Sequence, residues 1–151
     1  MVEGTAKKAR ALVYGVIRNP PGRPLTACLA EIHKVLTGAI LAHEPDQAAI
    51  EAVIYAQSVR TAITLGTARG AALLAVAQKN VPTFEYAPRR IKQAVVGRGG
   101  AEKSQVAFMI RAFFGLEETP GADAADALAI ALTHLRQVES PIRNLSELAE
   151  L

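Results

Sequence analysis

Hydrophobic positions along the chain change period several times, and each change marks a predicted element. "RALVYGVIR" (10–18) mixes β-branched and aromatic residues and is closed by "NPPGRP", so it reads as a strand followed by a breaker. From Leu25 to Ala42 the apolar residues Leu29, Ile32, Val35, Leu36 and Ala39 recur at helical spacing, and "HEPD" stops the run. "QAAIEAVIY" (47–55) is a short apolar run of the kind that forms parallel strands covered on both faces. A long helical pattern follows from about Ser58 to Lys79, and "VPTFEYAP" (81–88) predicts another strand. The next segment predicts a short helix, a glycine turn at Gly97–Gly100, and a helix from Lys103 to about Phe114. "EETPGA" is a loop, and a last helix runs from about Ala122 to Gln137. Strands alternating with helices predict an α/β domain over residues 1–138, followed by a polar tail at 139–151.

Composition narrows the class. The 151 residues suit one domain with a real core, and half of them are apolar. Tryptophan is absent and alanine abundant, which favours close helix packing over a core of large side chains. No apolar stretch of about 18 residues is free of charge, so no membrane span is expected. "MVEGTAKKAR" lacks the apolar middle of a secretory signal. The one cysteine, Cys28, excludes an internal disulfide or a cysteine zinc cluster and is expected to be a small buried hydrophobe. A cytoplasmic location fits these features. Gly66 and Gly70 lie four apart in the long helix, on a stripe with Ala62 and Leu73. Glycine inside a helix costs about 1 kcal/mol relative to alanine, so it is expected to permit close approach to the sheet or to a second subunit.

Charge adds a second theme. The formal net charge is only +3, but Arg89, Arg90, Lys92, Arg98 and Lys103 fall in one segment against a single acid, Glu102. Such a cluster is either a solvated face or a footprint for a polyanion such as nucleic acid.

The acids are more specific. Asp123 and Asp126 stand three apart at the start of the last helix, so they share a face. One reading makes Asp123 a cap and Asp126 a first-turn acid, each favoured by about 0.3–1 kcal/mol from the helix dipole. Glu51 supports another, because it interrupts a run suited to full burial, where a lone carboxylate is costly unless paired or metal-bound. Together Glu51, Asp123 and Asp126 would form a hard oxygen site suited to Mg²⁺ or Mn²⁺. Such sites serve phosphodiester cleavage, which makes a nuclease the leading idea for a basic protein.

At this point a family resemblance emerges. "ADAADALAIALTH" closely resembles the C-terminal signature of the RuvC family of Holliday junction resolvases. "AIEAVIYAQSVRTAITLGTARGAALLAVAQ" is similar to that family's catalytic-glutamate strand and long helix. "VPTFEYAPRRIKQAVVGRGGAEKSQVAFMI" is similar to its next strand and basic DNA-contacting segment. The resemblance implies a ribonuclease-H-like fold, a mixed sheet flanked by helices, and a homodimer. It also implies Mg²⁺-dependent symmetric nicking of four-way DNA junctions in recombination and repair, with a branch-migration helicase complex as partner. By the same resemblance Glu51, Asp123 and Asp126 match three of four acidic positions holding two metal ions, and Lys92 and Lys103 match basic residues beside the scissile phosphate. Lys103 is therefore counted with the catalytic groups. Arg89, Arg90 and Arg98 would position the junction backbone. The helix with Ala62, Gly66, Gly70 and Leu73 matches the dimer element.

Two departures from the family pattern stand out. The family's opening strand, with the aspartate that is its first metal ligand, has no counterpart. "ALVYGVIR" resembles the third strand, and the chain is expected to start roughly 15–20 residues late for a complete sheet. A junction-binding dimer with impaired catalysis is the alternative this raises. Where the family often has an aromatic residue three after the glutamate, this chain has Ile54, with Tyr55 beside it. Tyr55 would stack on an unpaired base, an interaction of about 1–3 kcal/mol, or serve the core. His33, His43 and His134 read as ordinary helix or loop residues.

Overall fold

A computed structural model describes residues 1–53 and 58–140. Its elements are β1 (Val2–Gly4), β2 (Ala9–Ala11), α1 (Leu25–His43), β3 (Ala48–Glu51), α2 (Val59–Ala77), β4 (Thr83–Tyr86), α3 (Pro88–Val96), α4 (Lys103–Phe114) and α5 (Ala122–Val138). They fall into two compact units. One holds Met1–Val16, Ala49–Ala52 and the chain from Phe84 onward; the other holds Ile17–Ala48 and Val53–Thr83.

In the first unit β1 and β2 form an antiparallel pair with Val2 opposite Ala11 and Gly4 opposite Ala9. The strand expected over 10–18 is therefore shorter than its apolar pattern suggests. Leu12 still donates to the Met1 carbonyl at 2.9 Å and the Val13 carbonyl accepts from the Met1 amino group, where the pairing among the described residues ends. Leu12, Val13, Tyr14 and Val16 are exposed as a result. β3 pairs with β4. Ala48 N–H bonds Pro82 O at 2.8 Å and Ala52 N–H bonds Tyr86 O at 2.9 Å, so both strands advance together, the parallel sense. Among the described residues the expected mixed sheet is thus two separate two-stranded ladders, one antiparallel and one parallel.

Helices α3, α4 and α5 cover this core. Pro88 opens α3, where its missing N–H costs nothing, and Gly97 ends it at φ 84°, a left-handed conformation that suits glycine. The Gln105 side chain accepts the Glu102 N–H at 3.0 Å and steadies the start of α4. α5 buries Ala124, Ala125, Leu128, Ala129 and Leu132, and its alanines let it lie close to its neighbours. Phe84, Tyr86, Ile91, Val95, Val106, Ile110, Leu128 and Leu132 form the centre. Each large aliphatic side chain there contributes about 1.5–3 kcal/mol by leaving water.

The second unit is built on α1 and α2, which pack along each other. Ser58 caps α2 by accepting the Thr61 N–H at 3.1 Å, a contact worth about 1 kcal/mol. His33 Nε2 lies 2.8 Å from Gln78 Oε1 and ties the two helices by a polar contact. By length and composition α1 is apolar enough to cross a membrane, a test that the core helix of a soluble protein also passes. Its charges, Glu31 and Lys34, are too few to break the apolar run, and Glu31 pairs with Arg23 at 3.3 Å. Cys28 is only half-buried, because α1 has one covered side; its Sγ donates to Arg23 O at 3.7 Å.

Candidate active site

The three candidate acids arrive from two elements. Glu51 is the last residue of β3, Asp123 lies in the first turn of α5, and Asp126 follows one turn later. The α5 cap is Gly121 rather than Asp123, so Asp123 is a first-turn acid and Asp126 stands beyond the first turn. On α5 the apolar and acidic positions fall on different sides of the helix. The alanine and leucine face is buried, Asp126 lies half-buried at its margin, and Asp123 points to solvent.

Glu51 does not sit in a fully buried strand. β3 is half-covered, and Glu51 is exposed at its end. Its carboxyl is nonetheless partly withdrawn from water, and that desolvation raises its pKa above the ordinary value. The like charge of Asp126 raises it further, while Lys103 and Lys92 lower it. Lys103, the first residue of α4, places Nζ 3.8 Å from Asp126 Oδ2. The structure thus brings together Glu51, Asp126, Lys103 and Lys92 from β3, α5, α4 and α3.

These residues suit a hard divalent cation in part. Carboxylate oxygens are its proper ligands, and the repulsion between Glu51 and Asp126 is what a cation between them would remove. Among the described residues, however, no three His, Cys, Asp or Glu side chains gather closely enough to hold a metal ion. The described residues therefore supply Glu51 and Asp126 with a lysine beside Asp126, and Asp123 lies exposed one turn before Asp126 on α5.

The basic segment divides by role. Arg89 is exposed at the start of α3, packed against Gly99; a Cβ on Gly99 would fall 2.5 Å from Arg89 Cγ, so a larger residue there would push the Arg89 side chain aside. Arg98 is exposed and donates to Gln105 at 3.0 Å. Arg90 departs from expectation. Its guanidinium bonds the Gln137 side chain through both Nε and a terminal nitrogen and lies 5.6 Å from the Tyr86 ring centre, so it ties α3 to α5. Tyr55 lies outside the described residues. Along α2, Ala62, Gly66 and Gly70 are exposed and Leu73 is half-buried. Nothing lies within 4 Å of where a Cβ would be on Gly66 or Gly70, so these glycines are not explained by close approach to a sheet.

Sequence reasoning missed Tyr86 and His134. His134 is buried, its Nδ1 lies 2.7 Å from the Tyr86 hydroxyl, and its ring stacks on Phe84 at 4.9 Å. A signal existed: Phe84 and Tyr86 alternate as inward positions of one strand, and a histidine on an alanine-rich helix is the natural polar partner.

Comparison with known proteins fits this geometry. The family model for crossover junction endodeoxyribonuclease RuvC matches residues 1–134. The RuvC of Akkermansia muciniphila is 49% identical over 135 residues, covering 89% of this chain and 81% of the relative. That of Magnetococcus marinus is 42% identical, covering 91% and 76%. The solved structure of T. thermophilus RuvC in complex with a Holliday junction substrate superposes with a TM-score of 0.89 at 34% identity, covering 99% of this chain and 89% of that one. A second Thermus thermophilus RuvC structure gives a TM-score of 0.81 at 33% identity, covering 100% and 88%. The fold and its acidic pair define a nuclease of the ribonuclease-H-like α/β class. The chain belongs to the RuvC family of crossover junction endodeoxyribonucleases, which are metal-dependent DNA-cleaving hydrolases.

Proposed function

We propose that this protein is a cytoplasmic Holliday junction resolvase that nicks four-way DNA symmetrically as a homodimer, with Mg²⁺ as its cofactor, two ions per complete site, and Mn²⁺ as a substitute. The observation that carries the reading is the approach of Lys103 to within 3.8 Å of Asp126, with Glu51 near enough for its carboxyl to feel the charge of both. Glu51 and Asp126 would hold the ion, with Asp123 as a further ligand from the same face of α5. When bound, Mg²⁺ supplies an activated water and charge neutralisation. Lys103 and Lys92 neutralise charge on the phosphate, while Arg89 and Arg98 set the register of the DNA backbone without reading sequence.

The dimer reading rests on α2. Val59, Ile63, Leu65 and Leu74 are exposed along this helix, and Gly66 and Gly70 leave open space for another backbone. A branch-migration helicase complex as partner follows from the family resemblance alone.

A second reading is favoured by the incomplete carboxylate set: a dimer that grips junctions without cutting them. One assay separates the two. A mobile four-way junction is incubated with Mg²⁺ and the protein, with binding and nicking measured in the same tubes. The nuclease reading expects paired nicks that Asp126→Asn abolishes while binding persists. Binding by the unaltered chain without nicks supports the second reading and overturns the first.

A further inference from the structure

Tyr86 holds two elements at once. Its backbone carbonyl accepts the Ala52 N–H at 2.9 Å, which fixes the residue next to Glu51. Its hydroxyl lies 2.7 Å from Nδ1 of His134. His134 sits eight residues beyond Asp126 on the same helix, about 12 Å along a continuous α-helical rise. Both side chains are buried, Tyr86 with 1% and His134 with 7% of its surface exposed. Phe84 stacks on the imidazole and Arg90 lies over the phenol ring, so neither ring is free to turn.

We propose that Tyr86 and His134 form a positioning clamp that sets the separation of Glu51 and Asp126. Neither residue touches the reacting atoms. Tyr86 grips the Glu51 strand through its main chain and the Asp126 helix through its side chain, so one residue bridges both carboxylate carriers. Burial lowers the His134 pKa and raises that of Tyr86, which keeps both groups neutral and their hydrogen bond intact at neutral pH. The phenol ring alone would fill the core equally well as phenylalanine; the hydroxyl is what couples the helix to the strand. In its functional half the inference rests on the nuclease reading above.

The test compares Tyr86→Phe, His134→Leu and His134→Asn with the unaltered chain. Asparagine keeps a polar group near the Nδ1 position, so it is the rescuing variant. Hydrogen exchange of the Ala52 N–H is read in metal-free protein, and the Mg²⁺ concentration for half-maximal junction nicking is read separately. Losing a partner hydrogen-bonded directly to a metal ligand typically costs 10–100-fold in affinity or activity, and a contact one step further out falls at the low end of that range. Tyr86→Phe and His134→Leu are expected to speed Ala52 exchange severalfold and raise the Mg²⁺ requirement about tenfold, with junction affinity unchanged and His134→Asn near the unaltered value. A role in stability alone would lower the melting temperature and leave both readouts where they were, which overturns the clamp. If Tyr86→Phe does not fold, the histidine pair decides: equal exchange and Mg²⁺ dependence in Leu and Asn variants also overturns it. Failure of the unaltered chain to nick would sink the nuclease reading instead. Mn²⁺ binding to the DNA-free protein then replaces nicking as the second readout, and unchanged affinity in the variants overturns the clamp.

Discussion

Acid should weaken this protein through His134 before it protonates most carboxylates. The imidazole is buried against Phe84 and Tyr86, and burial lowers its pKa below 6.5. Arg90, beside Tyr86, adds a positive charge nearby that gives an imidazolium no help. The sign follows from proton counting. Below pH 6.5 the unfolded chain binds a proton at His134 that the folded chain refuses, so stability is full above that pH and is lost as pH falls towards the folded value. One proton sets a ceiling of about 1.4 kcal/mol per pH unit on the slope. For a chain of this size that ceiling corresponds to roughly 3–5 °C in melting temperature per unit.

The assay is urea unfolding from pH 7.5 to 5, comparing the unaltered chain with His134→Asn. Glu51 titrates with the opposite sign, since a raised carboxyl pKa makes the folded state hold its proton longer. Both proteins carry Glu51, so its effect cancels in the difference. The difference in unfolding free energy should vary with pH below 6.5 and level off above it. Parallel curves across the whole range would refute the reasoning, because they would mean that His134 titrates alike folded and unfolded.

Glu51→Gln should raise stability modestly at neutral pH. Its raised pKa means that the fold disfavours the carboxylate, a cost present above the ordinary carboxyl pKa and absent at more acid pH. Mg²⁺ should raise the melting temperature of the unaltered chain but not of this variant; equal shifts in the two would separate Glu51 from metal binding. Ile110→Ala should cost about 2–5 kcal/mol in urea unfolding, since Ile110 is fully buried between α4 and its neighbours. A loss under 1 kcal/mol would show that the core collapses around the deletion. Gly99→Ala should displace Arg89 and reduce the salt dependence of junction binding by about one phosphate contact, read as the slope of log affinity against log salt. An unchanged slope would take Arg89 out of the DNA face.

The helices were legible because each carries its own evidence. α1, α4 and α5 begin and end within a few residues of expectation, since helical periodicity and, for α1 and α4, the stops at Glu44 and Gly115 are local properties of the chain. Strands were less legible because they need partners. The apolar alternation of 10–18 is suited to a sheet, yet among the described residues only Ala9–Ala11 is a strand, paired with Val2–Gly4. β3 reads as a buried run, but its end is open and Glu51 is exposed.

Site residues divide along the same line. The acids and Lys103 could be chosen from the sequence because charge at the margin of an apolar element demands an explanation. What the pattern could not supply is which acids face one another. Spacing on α5 makes Asp123 and Asp126 equivalent, and only the placement of β3 and α4 distinguishes Asp126, which contacts Lys103 and raises the Glu51 pKa by its like charge. Arg90 shows the converse limit: it sits among candidate DNA-binding cations, but Gln137 and Tyr86 take up its guanidinium. Tyr86 and His134 are 48 residues apart and individually unremarkable, and their meaning lies in the contact between them. A carboxylate pair assembled from a strand end and a helix has no local sequence device to fix its spacing. The spacing must come from whatever packs the helix against the sheet, which is why the functional weight here falls on buried groups well away from the acids.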